Sequence, residues 1–121
     1  MAISKILVVD DVNTDRINLE NILHDAGYQV LTAASGREAV SKVAEERPDL
    51  IFLDVIMDDM DGFQTCRKLS ASDSTKDIPV VMVSSKDQKV DKLWARKQGA
   101  RAYIVKPYTP EEITDQIQKF R

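Results

Sequence analysis

A chain of 121 residues, 43% hydrophobic and 31% charged, is long enough for one globular core and too short for two. Its net charge of −3 argues against generic nucleic-acid binding, which favours basic domains. A single cysteine, Cys66, rules out an internal disulfide and fits a reducing compartment, and no apolar run approaches the roughly 20 residues that span a bilayer. Lys5 interrupts the apolar start and no small-residue cleavage site follows, so no signal peptide is read and the expected location is the cytoplasm.

The first apolar run, Ile6-Leu7-Val8-Val9, reads as a buried strand that ends on Asp10-Asp11. Leu19, Ile22, Leu23 and Ala26 then recur at helical spacing, with Gly27 as terminator. Tyr28 to Ala33 is rich in β-forming side chains and predicts a second strand. Ser35-Gly36-Arg37-Glu38 has the form of a capping box, followed by the stripe Ala39, Val40, Val43 and Ala44 and a stop before Pro48. Leu50-Ile51-Phe52-Leu53 is an unbroken apolar run, the pattern of a parallel strand covered on both faces, and it runs straight into Asp54.

An irregular acidic loop follows, in which Asp61 is placed to cap a helix with the stripe Phe63, Cys66 and Leu69. Ser70 to Lys76 is polar and reads as an exposed loop. Val80 to Val83 is the fourth strand, ending at Ser84-Ser85. A fourth helix takes Val90, Leu93 and Trp94 as its stripe and Gly99 as its stop. Arg101 to Val105 is the fifth strand, ending at Lys106-Pro107. Thr109-Pro110-Glu111-Glu112 opens the last helix with a capping box and a first-turn proline, and Ile113 and Ile117 face inward. Strand and helix alternate five times over short connections, which predicts an α/β domain with a parallel sheet and helices on both faces. No internal repeat or interdomain linker interrupts residues 1–121, so a single domain is expected.

Ligands of open parallel sheets bind beyond the carboxyl ends of the strands. Four of the five ends here carry Asp10-Asp11, Asp54, Ser84-Ser85 and Lys106. A lone aspartate at a strand end is as readily a helix cap as a site. Three carboxylates, a hydroxyl and a lysine on one edge form a constellation. Two like charges about 4 Å apart repel by about 4 kcal/mol at an effective dielectric near 20. Three carboxylates and one lysine sum to about −2, a charge one divalent cation balances, and an all-oxygen site with few protein ligands suits Mg²⁺. Lys106 and Ser84 could then hold an anion, and a phosphoryl group fits best. Asp54, between the Asp10-Asp11 pair and Lys106, is the candidate nucleophile for an acyl phosphate.

At this point the chain resembles a family. Val8-Val9-Asp10-Asp11, Leu53-Asp54, Met57 through Met60-Asp61-Gly62, Val83-Ser84-Ser85, Gly99-Ala100, Tyr103 and Lys106-Pro107 are similar, in order and spacing, to the receiver domain of two-component response regulators. The resemblance implies a flavodoxin-like fold with strand order 2-1-3-4-5, phosphotransfer from a sensor histidine kinase or histidine phosphotransfer protein to Asp54, and a Mg²⁺ site. It implies that Asp11 and Asp54 ligate the metal directly, with the Ile56 backbone carbonyl as a third ligand and Asp10 acting through metal-bound water. Lys106 would contact the phosphoryl group, and its bond to Pro107 would be cis. Ser84 would be the switch hydroxyl and Tyr103 the aromatic that turns inward with it. A downstream target protein would dock on the face formed by the fourth helix, fifth strand and fifth helix of a monomer or weak dimer. Trp94, Lys97-Gln98-Gly99-Ala100 and the Tyr103 to Lys106 run resemble regulators of the chemotaxis-like systems that control type IV pili and twitching.

Asp58 departs from the family, which usually has proline there, so the loop should be less rigid and more acidic, with solvation of Asp58 and Asp59 the plainer expectation. Ile56 is apolar where a side chain would overlook an attacking water, which should slow self-dephosphorylation. His24 has no accompanying ligand and is expected on solvated surface; Cys66 is expected in the core. Trp94 directly follows Leu93, so both cannot centre on one buried face, and an edge or a partner surface is equally expected. Lys89, Lys92 and Arg96 share a helix face that is solvated by default. Two other functions compete: a Mg²⁺-dependent aspartyl-phosphate phosphohydrolase, disfavoured by Ile56 where such enzymes place a second aspartate, and a receiver-like adaptor that accepts no phosphate. With no output module after Arg121, a non-enzymatic switch acting through another protein is expected.

Overall fold

The computed structural model describes residues 2–121; Met1, the first residue of the expected domain, lies outside them. Five strands and five helices alternate: β1 Lys5–Val9, α1 Asn13–Asp25, β2 Gln29–Ala33, α2 Gly36–Glu46, β3 Leu50–Asp54, α3 Gly62–Ala71, β4 Val80–Ser84, α4 Lys89–Lys97, β5 Ala102–Val105 and α5 Pro110–Gln118. All neighbouring strands pair in parallel, in the order β2-β1-β3-β4-β5. This is the doubly wound order that the resemblance to receiver domains implies. Parallel neighbours cannot be joined by tight turns, so each connection crosses a face of the sheet as a helix.

Successive side chains of a strand point to opposite faces, and the two faces build separate halves of the core. Ile6, Val8, Leu50, Phe52, Val81, Val83 and Ile104 pack against Leu19 and Leu23 of α1 and Ile113 and Ile117 of α5. Leu7, Val9, Ile51, Leu53 and Met82 pack against Ala39 and Val43 of α2, Cys66 and Leu69 of α3 and Ala95 of α4. Burying one such aliphatic side chain contributes about 1.5–3 kcal/mol.

The helix starts follow their sequence signals with one local change. Glu38 N–H donates to Ser35 Oγ at 3.1 Å, as a capping box requires, but the Glu38 carboxylate accepts from Ala34 N–H at 2.8 Å rather than from Ser35. In α5 both reciprocal bonds of the Thr109/Glu112 box are present, at 3.2 and 3.1 Å. Gln64 N–H donates to Asp61 Oδ1 at 2.9 Å, so Asp61 caps α3. Gly27 ends α1 in the left-handed region at φ +94°. In α1 only Leu19 and Leu23 of the expected stripe are fully buried; Ala26 is the exposed C-cap.

Two expectations are corrected. Ser70 and Ala71 are the last turn of α3 rather than loop, and the segment beyond is not freely exposed: Thr75 is buried, its hydroxyl donating to the Leu69 carbonyl at 2.6 Å. That bond satisfies a carbonyl left open at the helix end. The second correction concerns α4. Val90, Leu93 and Trp94 do share a stripe, but it points outward, with 63%, 57% and 45% exposure; α4 buries Ala95 instead. At 3.6 residues per turn these three lie roughly 100–200° around the helix from Ala95. The small alanine lets α4 rest on the sheet beside Met82 and Ala100, and the larger side chains are left on the far side.

Candidate functional site

The strand register assembles the site. Val9 pairs with Leu53 and Asp54 with Val83, which sets Asp10 and Asp54 side by side at the carboxyl ends of β1 and β3. Ser84 pairs with Val105, and Lys106 N–H donates to the Ser84 carbonyl at 2.8 Å, bringing Lys106 to the same edge. Asp10 and Asp54 are buried, while Asp11 is exposed on the β1–α1 loop. One carboxylate oxygen from each of Asp10, Asp11 and Asp54 lies within 4.8 Å of the others. The Lys106 ammonium stands 3.5 Å from Asp54 Oδ1, 3.1 Å from Asp10 Oδ2 and 2.9 Å from Asp15 Oδ2. The bond from Lys106 to Pro107 is cis.

Local geometry holds these groups in place. Asp10 Oδ1 accepts from Val12 N–H at 2.9 Å, and Arg16 Nη1 donates to the Asp10 carbonyl at 2.8 Å. The β3–α3 loop folds back on the strand it left: Gly62 N–H donates to the Val55 carbonyl at 2.9 Å. A Cβ at Gly62 would lie 2.7 Å from Val55 Cα and still closer to the Asp54 carbonyl oxygen, so only glycine permits that approach. Asp58 N–H donates to Asp11 Oδ2 at 3.3 Å, its side chain exposed as expected. Asp59 is not merely solvated: in the left-handed region at φ +64°, it pairs with Arg37 Nε at 2.6 Å and ties the loop to α2. Ile56 lies on this loop with its side chain 53% exposed.

Electrostatics follow from that crowding. Burial and the neighbouring Asp10 charge push the Asp54 carboxyl up to about 7, with Lys106 pulling in the opposite direction. Burial alone would lower the Lys106 ammonium, but Asp15, Asp54 and Asp10 outweigh it and hold the group charged. An acid cluster that resists full ionisation is one a hard divalent cation would relieve, and its all-oxygen donor set suits such an ion. The three acids and Lys106 thus sit together where the sequence placed them.

Ser84 is fully buried and its hydroxyl accepts from Lys86 N–H at 3.2 Å. Tyr103 is half-buried, with its phenol donating to the Lys86 carbonyl at 2.9 Å, and burial raises its pKa. The residues expected to act together therefore meet through one loop, Ser84 to Lys86. Asp15 was missed by the sequence reading. The available signal was positional: a residue in the first turn of a helix that starts at a strand's carboxyl end faces the same edge.

The comparisons with known proteins agree with this geometry. Residues 6–118 match the sequence profile of the response regulator receiver domain. The chain belongs to that family. The receiver domain is 40% identical over 114 residues to Protein PilH of Pseudomonas aeruginosa, covering 94% of each chain. It is 39% identical to Protein PilG of the same organism, covering 94% of this chain and 84% of that one. Among solved structures, the chemotaxis protein CheY4 of Vibrio cholerae superposes with a TM-score of 0.93 at 35% identity, over 99% of this chain and 100% of that one.

Outside the site, His24 is exposed and 3.8 Å from Glu20, and Cys66 is buried with its thiol donating to the Gln98 carbonyl at 3.4 Å. Burial pushes the Cys66 thiol up to about 11, which keeps it protonated. No helix among the described residues is long and apolar enough to cross a membrane.

Proposed function

We propose that this receiver domain is a phospho-accepting switch in which Asp54 takes a phosphoryl group from the phosphohistidine of a sensor kinase or histidine phosphotransfer protein. The observation that carries the reading is the convergence of Lys106, 3.5 Å from Asp54, with the Asp10, Asp11 and Asp54 oxygens at one sheet edge. Asp11, Asp54 and the Ile56 carbonyl would hold Mg²⁺, with Asp10 acting through bound water. When bound, Mg²⁺ neutralises charge on the phosphoryl oxygens and on the acid cluster. An Asp54 oxygen attacks phosphorus; the new O–P bond forms as the N–P bond of the donor breaks, and the electron pair leaves with the imidazole nitrogen. Lys106 pairs with a phosphoryl oxygen and Ser84 donates a hydrogen bond to another.

The group is held rather than turned over, so the domain works as a switch and not as an enzyme. Ser84 moving toward the phosphoryl group releases Lys86 N–H, and Tyr103, bonded to the same loop, turns inward with it. Its output surface is the face of α4, β5 and α5. A groove of about 430 Å³ there is lined by Lys92, Arg96, Arg101, Tyr103, Lys119 and Phe120, and the outward Leu93 borders the same Lys92 and Arg96. A basic rim beside exposed apolar side chains fits an acidic, amphipathic segment of a downstream protein. We place the domain, residues 1–121, in the cytoplasm and in chemotaxis-like control of type IV pili, acting as a monomer or weak dimer through a separate target. The likeness to Protein PilH and to the chemotaxis protein CheY4 supports the chemotaxis-like part of this reading.

Incubation with Mg²⁺ and acetyl phosphate, followed by intact mass measurement, tests the acceptor. Wild type gains one phosphoryl mass and Asp54→Ala gains none; equal labelling of the two refutes the assignment. In the same system Ile56→Asn, which places a polar group over the attacking water, releases phosphate faster than wild type. Equal release would discard that role for Ile56. Amide NMR shifts confined to the acid cluster on adding beryllofluoride, with α4 and β5 unmoved, would contradict the output surface.

A further inference from the structure

The shortest contact of the Lys106 ammonium is not to the acid cluster. It donates to Asp15 Oδ2 at 2.9 Å and Asp10 Oδ2 at 3.1 Å, while Asp54 Oδ1 stands at 3.5 Å. Asp15 belongs to α1 rather than to a strand end, and its side chain is 43% exposed against 20% for the lysine. An ammonium has three protons. Two are engaged by Asp10 and Asp15, and the third has no hydrogen-bond partner as close in the site. A cleft of about 380 Å³ between α1 and the β5–α5 loop, lined by Asp15, Asn18, Ser85, Lys106, Pro107 and Tyr108, gives the ammonium room to move.

We infer that Asp15 is a positioning residue that parks Lys106 at the α1 side of the site while Asp54 carries no phosphoryl group, and must yield it when one arrives. This rests on the acceptor reading given above. Four carboxylates and one lysine sum to about −3, and a divalent cation brings that to about −1. Phosphorylation replaces the single charge of Asp54 with nearly two, so the loaded site returns to about −2. Asp15 contributes one negative charge throughout, so it favours the cation and opposes the phosphoryl group. It also gives Lys106 a partner when Asp10 turns toward the cation, so metal binding leaves no ammonium unpaired. The phosphoryl group, in contrast, must draw the ammonium away from Asp15.

The two effects have opposite signs, and that separates positioning from a loss of structure. Titration calorimetry with Mg²⁺ alone, and with beryllofluoride at saturating Mg²⁺, reads both. An exposed ion pair sets the scale at about threefold. Asp15→Asn weakens Mg²⁺ by about threefold and tightens beryllofluoride by about threefold, and Asp15→Glu restores both toward wild type. In the Lys106→Ala background the beryllofluoride gain from Asp15→Asn shrinks to what the lost charge alone supplies. Unchanged affinities, two affinities that fall together, or a gain undiminished without Lys106 would each overturn the inference. Wild type that binds no beryllofluoride overturns the acceptor reading and this inference with it. Wild type that binds it while Asp15→Asn matches on both ligands overturns the inference alone.

Discussion

α4 and α5 are both nine residues long, flank β5, and each follows a strand end that carries a site residue: Ser84 closing β4 before α4, Lys106 just after β5 before α5. Their attachments differ. Both starts carry a capping-box bond, Asp91 accepting from Gln88 N–H at 3.2 Å in α4, but α5 adds a first-turn proline and buries Ile113 and Ile117 entirely. α4 buries a single alanine and leaves Val90, Leu93 and Trp94 in solvent. The lysine arm of the site is therefore anchored to the core, and the serine arm is attached to an element that can shift at small cost. Elements that move in signalling come from the weakly packed end of a fold, and here that end is α4.

Four measurements break or sharpen this contrast. The largest effect is expected in the anchored helix: Ile113→Ala loses about 2–5 kcal/mol of unfolding free energy in denaturant, the cost of a buried cavity. A loss below about 1 kcal/mol would mean α5 is no better anchored than α4. The second concerns the fixed arm and pH. Asp54 titrates near 7 in the metal-free fold against 3.8 for an unperturbed group. Between those values the native state binds more protons than the unfolded chain, so stability falls as pH rises through the window. Asp54→Asn removes that slope, a difference bounded above by about 4 kcal/mol, and millimolar Mg²⁺ removes it from wild type. Parallel pH profiles of thermal unfolding for the two proteins would show that Lys106 already neutralises the site.

The third effect is smaller: Thr109→Ala removes the α5 cap and costs about 1 kcal/mol. The smallest is on the loose side. Leu93→Ala changes stability by no more than about 0.5 kcal/mol, as expected for an exposed position. A cost near that of Ile113→Ala would show that the outward stripe is covered in solution and would dissolve the comparison.

The site was legible in the sequence for a topological reason. Buried parallel strands announce themselves as apolar runs, and the residue where a run stops is fixed at the sheet edge, so Asp10, Asp54, Ser84 and Lys106 could be placed from the strands alone. Helices are less explicit. Spacing shows which residues share a stripe but not which way it points, and in α4 the three largest apolar side chains outweighed Ala95 in the reading while Ala95 made the contact. Asp15 was overlooked although it lies four residues before Leu19 on the face that Leu19 and Leu23 set, because a polar residue was not counted in that stripe. The buried Thr75 was hidden because a hydroxyl that closes a helix end is polar in sequence and internal in space.

The loop after Asp54 is fastened at both ends, by the strand it leaves and by the Gly62 backbone lying against it, and at Asp59 by Arg37, while the Asp58 side chain projects into water. The charge at Asp58 can accordingly be gained or lost without displacing the acceptor. A regulator built this way can have its ionic environment adjusted by substitution, one charge at a time, with the reactive carboxylate held stationary.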